Sequence, residues 1–107
     1  MQFFIDLPTS LRSLVLGGCS PKLDRESNQP KVDRSTGHPI FIIDLFAAPK
    51  DGGRVESLRV NIPAKNDPCT GWTEFTPCKL EGLRLEIFHI NGNTIPVFTA
   101  DKIVKAG

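Results

Sequence analysis

Pro39-Ile40-Phe41-Ile42-Ile43-Asp44-Leu45-Phe46-Ala47-Ala48 and Arg54-Val55-Glu56-Ser57-Leu58-Arg59-Val60-Asn61-Ile62, joined by Lys50-Asp51-Gly52-Gly53, decide the fold. Both arms are rich in β-branched and aromatic residues, and in the second arm Leu58, Val60 and Ile62 alternate with Arg59 and Asn61. Successive strand residues point to opposite faces, so this period of two places one row in a core and the other outside it. The paired glycines supply the positive φ that a tight hairpin requires. The stretch therefore reads as an antiparallel pair of strands. Phe41, Ile43 and Leu45 share its core face, and Asp44 and Phe46 share the other.

Working outward, Leu11 to Cys19 reads as a strand preceded by an extended arm at residues 1–10. Cys78 to Ile90 reads as a long strand bent at Gly82, and Thr94 to Val104 as its return after Asn91-Gly92-Asn93. Pro39 to Ala48 and Arg54 to Ile62 complete a set of five. Nine prolines and nine glycines cut the 107 residues into these short pieces, and no stretch sustains a helical apolar period. The chain reads as free of internal repeats. Two long connections stand out. Ser20 to His38 holds almost nothing apolar, and a connection of that length is a functional or disordered segment. Pro63 to Pro77, with Pro68 and Gly71, reads as an irregular loop rather than a helix. Five strands with long loops after the first and third predict an all-β, five-stranded Greek-key barrel of the oligonucleotide/oligosaccharide-binding type, the OB-fold. It spans residues 11–105 of a single 1–107 domain.

Thirteen Lys and Arg against twelve Asp and Glu leave a net charge of +1, so no bulk field draws nucleic acid or a membrane. No apolar run reaches the ~18 residues of a transmembrane helix. Leu16-Gly17-Gly18-Cys19 has the look of a lipoprotein cleavage box, but Asp6, Pro8 and Arg12 interrupt the basic start and apolar run that an export signal needs. A cytoplasmic protein is expected. Cys19, Cys69 and Cys78 are too few for a disulfide scaffold. With His38 and His89 scattered far from any Cys-x-x-Cys pair, they predict no metal and no cofactor, only small thiols. Neither histidine adjoins a nucleophile motif, Glu81 and Glu86 fall on opposite strand faces, and no phosphate-cradling glycine loop opens a helix. The sequence does not read as an enzyme, and no small-molecule substrate is expected.

Asp33-Arg34-Ser35-Thr36-Gly37-His38-Pro39, Val60-Asn61-Ile62-Pro63, Lys79-Leu80-Glu81-Gly82-Leu83 and Phe98-Thr99-Ala100-Asp101-Lys102-Ile103 follow one another along the chain. In that order they resemble the small regulatory or replication proteins carried by actinobacterial conjugative plasmids and phages. The layout is also similar to that of OB-type single-stranded-DNA-binding proteins. The resemblance covers residues 11–105. It implies an OB-like barrel that binds single-stranded DNA, and it carries no catalytic residue.

Such binding needs aromatic platforms for bases and cations for phosphates. With seven Phe, one Trp and no Tyr, Phe46 on the outer face is the stacking candidate. Phe88 and Phe98 are expected in the core. Trp72 and Phe75, in a proline-bounded loop, are each either a lid on the barrel or a platform. Lys22, Arg25, Lys31 and Arg34 in the first long loop, and Arg54, Arg59, Lys79 and Arg84 on strands two to four, are the candidate phosphate contacts. Arg59, facing outward mid-strand, leads them. Ile40 and Ile42, apolar on the outer face, are expected to be covered by the N-terminal arm or by a second subunit, and a homodimer is predicted. The competing reading is a protein-interaction module of a plasmid replication or transfer system. A dry apolar patch without neighbouring cations would mark that alternative.

Overall fold

The computed structural model describes residues 2–4, 11–49 and 54–106, so the Lys50–Gly53 hairpin turn lies outside the described residues. Every regular element among the described residues is a strand. They are β1 (Gln2–Phe4), β2 (Leu11–Pro21), β3 (Ile40–Pro49), β4 (Glu56–Pro63), β5 (Cys78–Glu81), β6 (Arg84–Ile90), β7 (Asn93–Thr99) and β8 (Lys102–Lys105). A six-stranded sheet runs in the order β1-β6-β7-β4-β3-β2, and β5 pairs with β8 in a second, two-stranded sheet. The chain is all-β.

The β3–β4 pair has the register its alternation demands. Ile43 faces Val60, Leu45 faces Leu58, and outside them Asp44 faces Arg59. Phe41, Ile43, Leu45 and Ala47 meet Val60 and Ile62 in the core, where Leu14, Leu16, Leu83, Ala100 and Ile103 join them. Ile43, Leu45, Val60 and Ile62 are the largest fully buried side chains, each contributing about 1.5–3 kcal/mol by leaving water. At Gly17 the β2 strand bulges against β3, between Leu16↔Leu45 and Gly18↔Asp44. A Cβ on Gly17 would sit 3.1 Å from both the Asp44 carbonyl and the Phe46 ring, so a side chain at the bulge would have to push the Asp44 backbone and the Phe46 ring aside by a few tenths of an ångström.

Two of the five expected strands are each split in two. The Cys78–Ile90 segment breaks at Gly82, the residue expected to bend it, and the return strand also breaks, at Ala100-Asp101. One arrangement causes both breaks. Gly82 takes a positive φ of 69° with the Asp101 carboxylate packed against its α-carbon. Asp101 N donates to Glu81 O, and Arg84 Nη1 bridges the Gly82 carbonyl at 3.0 Å and Asp101 Oδ1 at 2.7 Å. The chain segments before Gly82 and after Asp101 turn away together as β5 and β8.

The ladders among the described residues do not close a barrel. β4 lies parallel to β7 through Val60↔Phe98 and Asn61↔Thr99. On the far side β2 meets the segment leading into β5 at an isolated bridge, Val15↔Pro77, flanked by bonds from Leu16 N to Thr76 O and from Phe75 N to Leu16 O. No continuous ladder among the described residues joins the two strands. Of the N-terminal arm only Gln2–Phe4 lies among the described residues, and that piece pairs with β6 rather than β3. Phe3 pairs with Leu85 on β6, and two strands separate β6 from β3. Phe88, expected in the core, is 44 % exposed, because the β6–β7 hairpin runs past its neighbours toward the Asn91-Gly92 turn. Phe98 does pack against the core.

Candidate nucleic-acid interface

The polar segment after β2 is an ordered pair of turns, and it contains the internal repeat that the chain was expected to lack. Lys22-Leu23-Asp24-Arg25-Glu26-Ser27-Asn28-Gln29-Pro30 is followed without a gap by Lys31-Val32-Asp33-Arg34-Ser35-Thr36-Gly37-His38-Pro39. Four positions are identical, and the geometry repeats with the sequence. Asp24 N donates to Gln29 O as Asp33 N does to His38 O, and Asn28 N to Asp24 O as Gly37 N does to Asp33 O. The fifth turn residue takes positive φ in both, Asn28 at 57° and Gly37 at 75°, the region that Gly and Asn tolerate best. Each aspartate caps its own turn. Asp24 Oδ1 accepts from Glu26 N and Ser27 N, and Asp33 Oδ2 accepts from Thr36 N and Oγ1. The apolar second residue bridges the closing proline in both, Leu23↔Pro30 and Val32↔Pro39. The repeat is invisible to apolar periodicity because only four of its positions match in identity; the rest match in conformation.

The units are joined by a cyclic set of backbone bonds. Lys22 N donates to Ile40 O at 2.9 Å, Lys31 N to Lys22 O at 2.8 Å and Ile40 N to Lys31 O at 2.9 Å. Lys22 and Lys31, the first residues of the two units, are thereby neighbours. Burial first, and then the charge of Lys31, lower the pKa of the Lys22 ammonium from its ordinary value. Two like charges held together in a partly desolvated place favour an anion between them.

Lys22 stands at a groove of about 450 Å³ on the outer face of the sheet, lined also by Ile42, Arg59, Asn61, Pro96 and Val97. Arg59 projects from mid-strand as its alternation requires, and its Nε donates to Asp44 Oδ1 at 3.0 Å. The pair is open to solvent, with side chains 70 % and 50 % exposed, and such pairs exchange readily because they hold at most about 1 kcal/mol. On the same face, Phe46 packs beside Phe75 with ring centroids 6.0 Å apart and planes inclined at 33°. Phe75 is 60 % exposed and sits at positive φ, so its ring, rather than that of half-buried Phe46, is the open aromatic surface. The structure thus adds Asn61 to the residues weighed from sequence, and it singles out Lys22 among the loop cations and Phe75 among the rings. The tandem repeat is the signal that sets Lys22 beside Lys31.

The remaining candidates are dispersed. Arg25 and Arg34 occupy the same place in the two turns and are exposed, as is Lys31. Arg54 is exposed just before β4, and Lys79 is exposed on β5, in the other sheet. Arg84 is committed elsewhere. Its side chain is 16 % exposed and ion-paired with both Asp101 and Glu86. Burial works to lower its pKa, but the bonds and charges of Asp101 and Glu86 outweigh that and raise it. Trp72 is half-buried against the core, with Lys105 Nζ 5.7 Å from the ring centroid, the position of a lid. The cysteines are less scattered than their spacing suggests. Cys19 and Cys69 converge with Asp67 beside the Trp72 loop. Among the described residues no helix is long and apolar enough to cross a membrane. Comparison with protein-family models, with curated proteins and with solved structures finds no match to this chain.

Proposed function

We propose that this chain binds single-stranded DNA across the outer face of β3 and β4. Lys22, Lys31 and Arg59 take phosphates and the Phe75–Phe46 pair offers a surface for a base. The observation that carries the reading is the Lys22–Lys31 pair, fixed side by side by the cyclic backbone bonds at the end of a groove that Arg59 also lines. Arg25 and Arg34, repeated at the turn tips, extend the same positive edge, with Arg54 and Lys79 as outlying contacts. Arg84 holds the strand breaks together.

The OB reading of the fold belongs to this proposal. It is supported by the β2-β3-β4 meander, the parallel β4–β7 contact, the β6–β7 hairpin and the Val15↔Pro77 bridge on the closing side. So do a plasmid or phage origin, a cytoplasmic location and a non-enzymatic role. A second reading, a module that recruits a protein partner, is favoured by the exposed Phe88, Ile90 and Ile95 on the β6–β7 hairpin. These residues, with half-buried Ile40 and Ile42, also support a homodimer. Size exclusion at micromolar concentration tests it, and a monomer there removes that part.

Titration of labelled oligo-dT, followed by anisotropy at low and then higher salt, tests the binding. Saturable binding that weakens steeply with salt is expected. Lys22→Ala with Lys31→Ala should reduce the slope of log K against log salt by about 1.4, since each single-strand phosphate contact contributes about 0.7. Quenching of Trp72 on binding would put that ring near the bases and overturn its assignment as a lid. Absence of binding at low salt sinks the nucleic-acid reading and leaves the partner module.

A further inference from the structure

Cys19 closes the core side of β2, and Asp67-Pro68-Cys69 turns beneath it in the loop that follows β4. The turn is built by one carboxylate. Asp67 Oδ1 accepts the Cys69 backbone N–H at 2.8 Å, and Thr70 N and Oγ1 both donate to the Asp67 carbonyl. The same Oδ1 accepts the Cys19 thiol at 3.2 Å. The two sulfurs and the carboxylate oxygen all lie within 4.8 Å of one another. Ligands bonded to zinc at about 2.3 Å for sulfur and 2.0–2.2 Å for oxygen stand roughly 3.5–3.8 Å apart in a tetrahedral set. The cluster has that size to within small side-chain rotations. Cys69 is buried, Cys19 half-buried and Asp67 exposed, so the oxygen side opens to solvent and leaves room for a fourth ligand.

We propose that Cys19, Asp67 and Cys69 form a binding site for a borderline-soft divalent cation of the zinc type, with water as the fourth ligand. The site is independent of the nucleic-acid reading. Its chemistry explains an otherwise awkward grouping. Burial first, then the Asp67 hydrogen bond and the Cys69 and Asp67 charges, push the Cys19 thiol well above its ordinary range. Burial likewise raises Cys69, partly offset by its bond with Cys19. Both sulfurs are therefore protonated at neutral pH, and an entering ion must displace both protons. Two positive charges enter and two protons leave, so the net charge of the site is unchanged. The ion would tie the end of β2 to the loop carrying Trp72 and Phe75. Cys78 stands outside the set, its thiol bonded to the Leu14 carbonyl at 3.7 Å.

The test uses the full chain, metal-stripped and kept reduced without air by a non-thiol reductant, with three free thiols confirmed by count. Zinc titrated calorimetrically in buffers of different ionisation enthalpy should saturate at one ion per chain and release about two protons. Cobalt(II) in its place should give the visible bands of a tetrahedral site and near-ultraviolet thiolate charge transfer. Cys69→Ser and Cys19→Ser should abolish both signals, Asp67→Asn should weaken binding at least tenfold, and Cys78→Ala should leave it unchanged. If the cysteine variants do not fold, proton count and charge transfer in the unsubstituted chain still decide. Failure to saturate, absence of thiolate charge transfer, or an unchanged isotherm in Cys69→Ser overturns the site. So does a reduced chain that takes no zinc but closes a Cys19–Cys69 disulfide in air.

Discussion

Gly82 shows how much one residue decides. Its positive φ and the Asp101 carboxylate against its α-carbon leave no place for a methyl group. Gly82→Ala should cost roughly 1–3 kcal/mol, from left-handed backbone strain and displacement of the Asp101–Arg84 contact; a lower urea midpoint with unchanged slope checks it. That Gly82 bends its strand was legible from the lone glycine in an apolar run. The matching break at Asp101 was not, because it depends on a carboxylate reaching across to that glycine from a bend 19 residues later. Asp24 carries a residue-scale pH dependence. The Glu26 and Ser27 amides hold its carboxyl below the ordinary range. A carboxyl with a lowered folded pKa stabilises its turn above the unfolded value and loses that contribution as pH falls through the folded one. The Glu26 and Ser27 amide resonances should therefore stay fixed down to about pH 4 and move only below it. In Asp24→Asn that acid transition should disappear.

Among elements, the two nine-residue turns offer an internal comparison. Gly37→Ala places a Cβ at φ 75°, and Asn28→Gly removes one at φ 57°. The first should lower stability by about 1 kcal/mol. The second should change it by no more than about half that, because Asn already tolerates this conformation. Thermal melts of the two variants check the contrast. The β3–β4 pair was legible from sequence to the level of individual faces. Phe41 inside and Phe46 and Arg59 outside follow from period two alone, and the structure has them there. Phe88 was misplaced because apolar alternation cannot tell a strand inside a sheet from a hairpin that overruns it. The Lys22–Lys31 neighbourhood was hidden for a different reason. It is made by backbone bonds between residues nine and eighteen apart, for which no side-chain pattern is needed.

The whole molecule is broad and thin, 41 × 36 × 21 Å with a Cα radius of gyration of 14.2 Å, against about 13 Å for a compact chain of this length. The excess comes from the β1-β6-β7 arm, which joins the β2-β3-β4 meander through only two paired positions on β7. Elements joined by few contacts open separately. The β6 and β7 amides from Ile87 to Ile95 should exchange with solvent as a group, well before Ile43, Leu45 and Val60, and hydrogen-exchange mass spectrometry reads the difference. Leu45→Ala, in the meander core, should instead lower global stability by about 2–5 kcal/mol. The cyclic bonding of Lys22, Lys31 and Ile40 has its own consequence for the reach of the molecule. Each unit returns the chain to where it began, so the loop is a segment whose length changes in whole steps. Excising residues 23–31 would leave Lys22 and Ile40 as an ordinary two-way strand pair carrying one turn, and a third copy would enlarge the ring by one member. The β3–β4 pair would register neither change. The span of the loop is thus a variable that insertion or loss of nine residues can set, while the sheet that bears it stays the same.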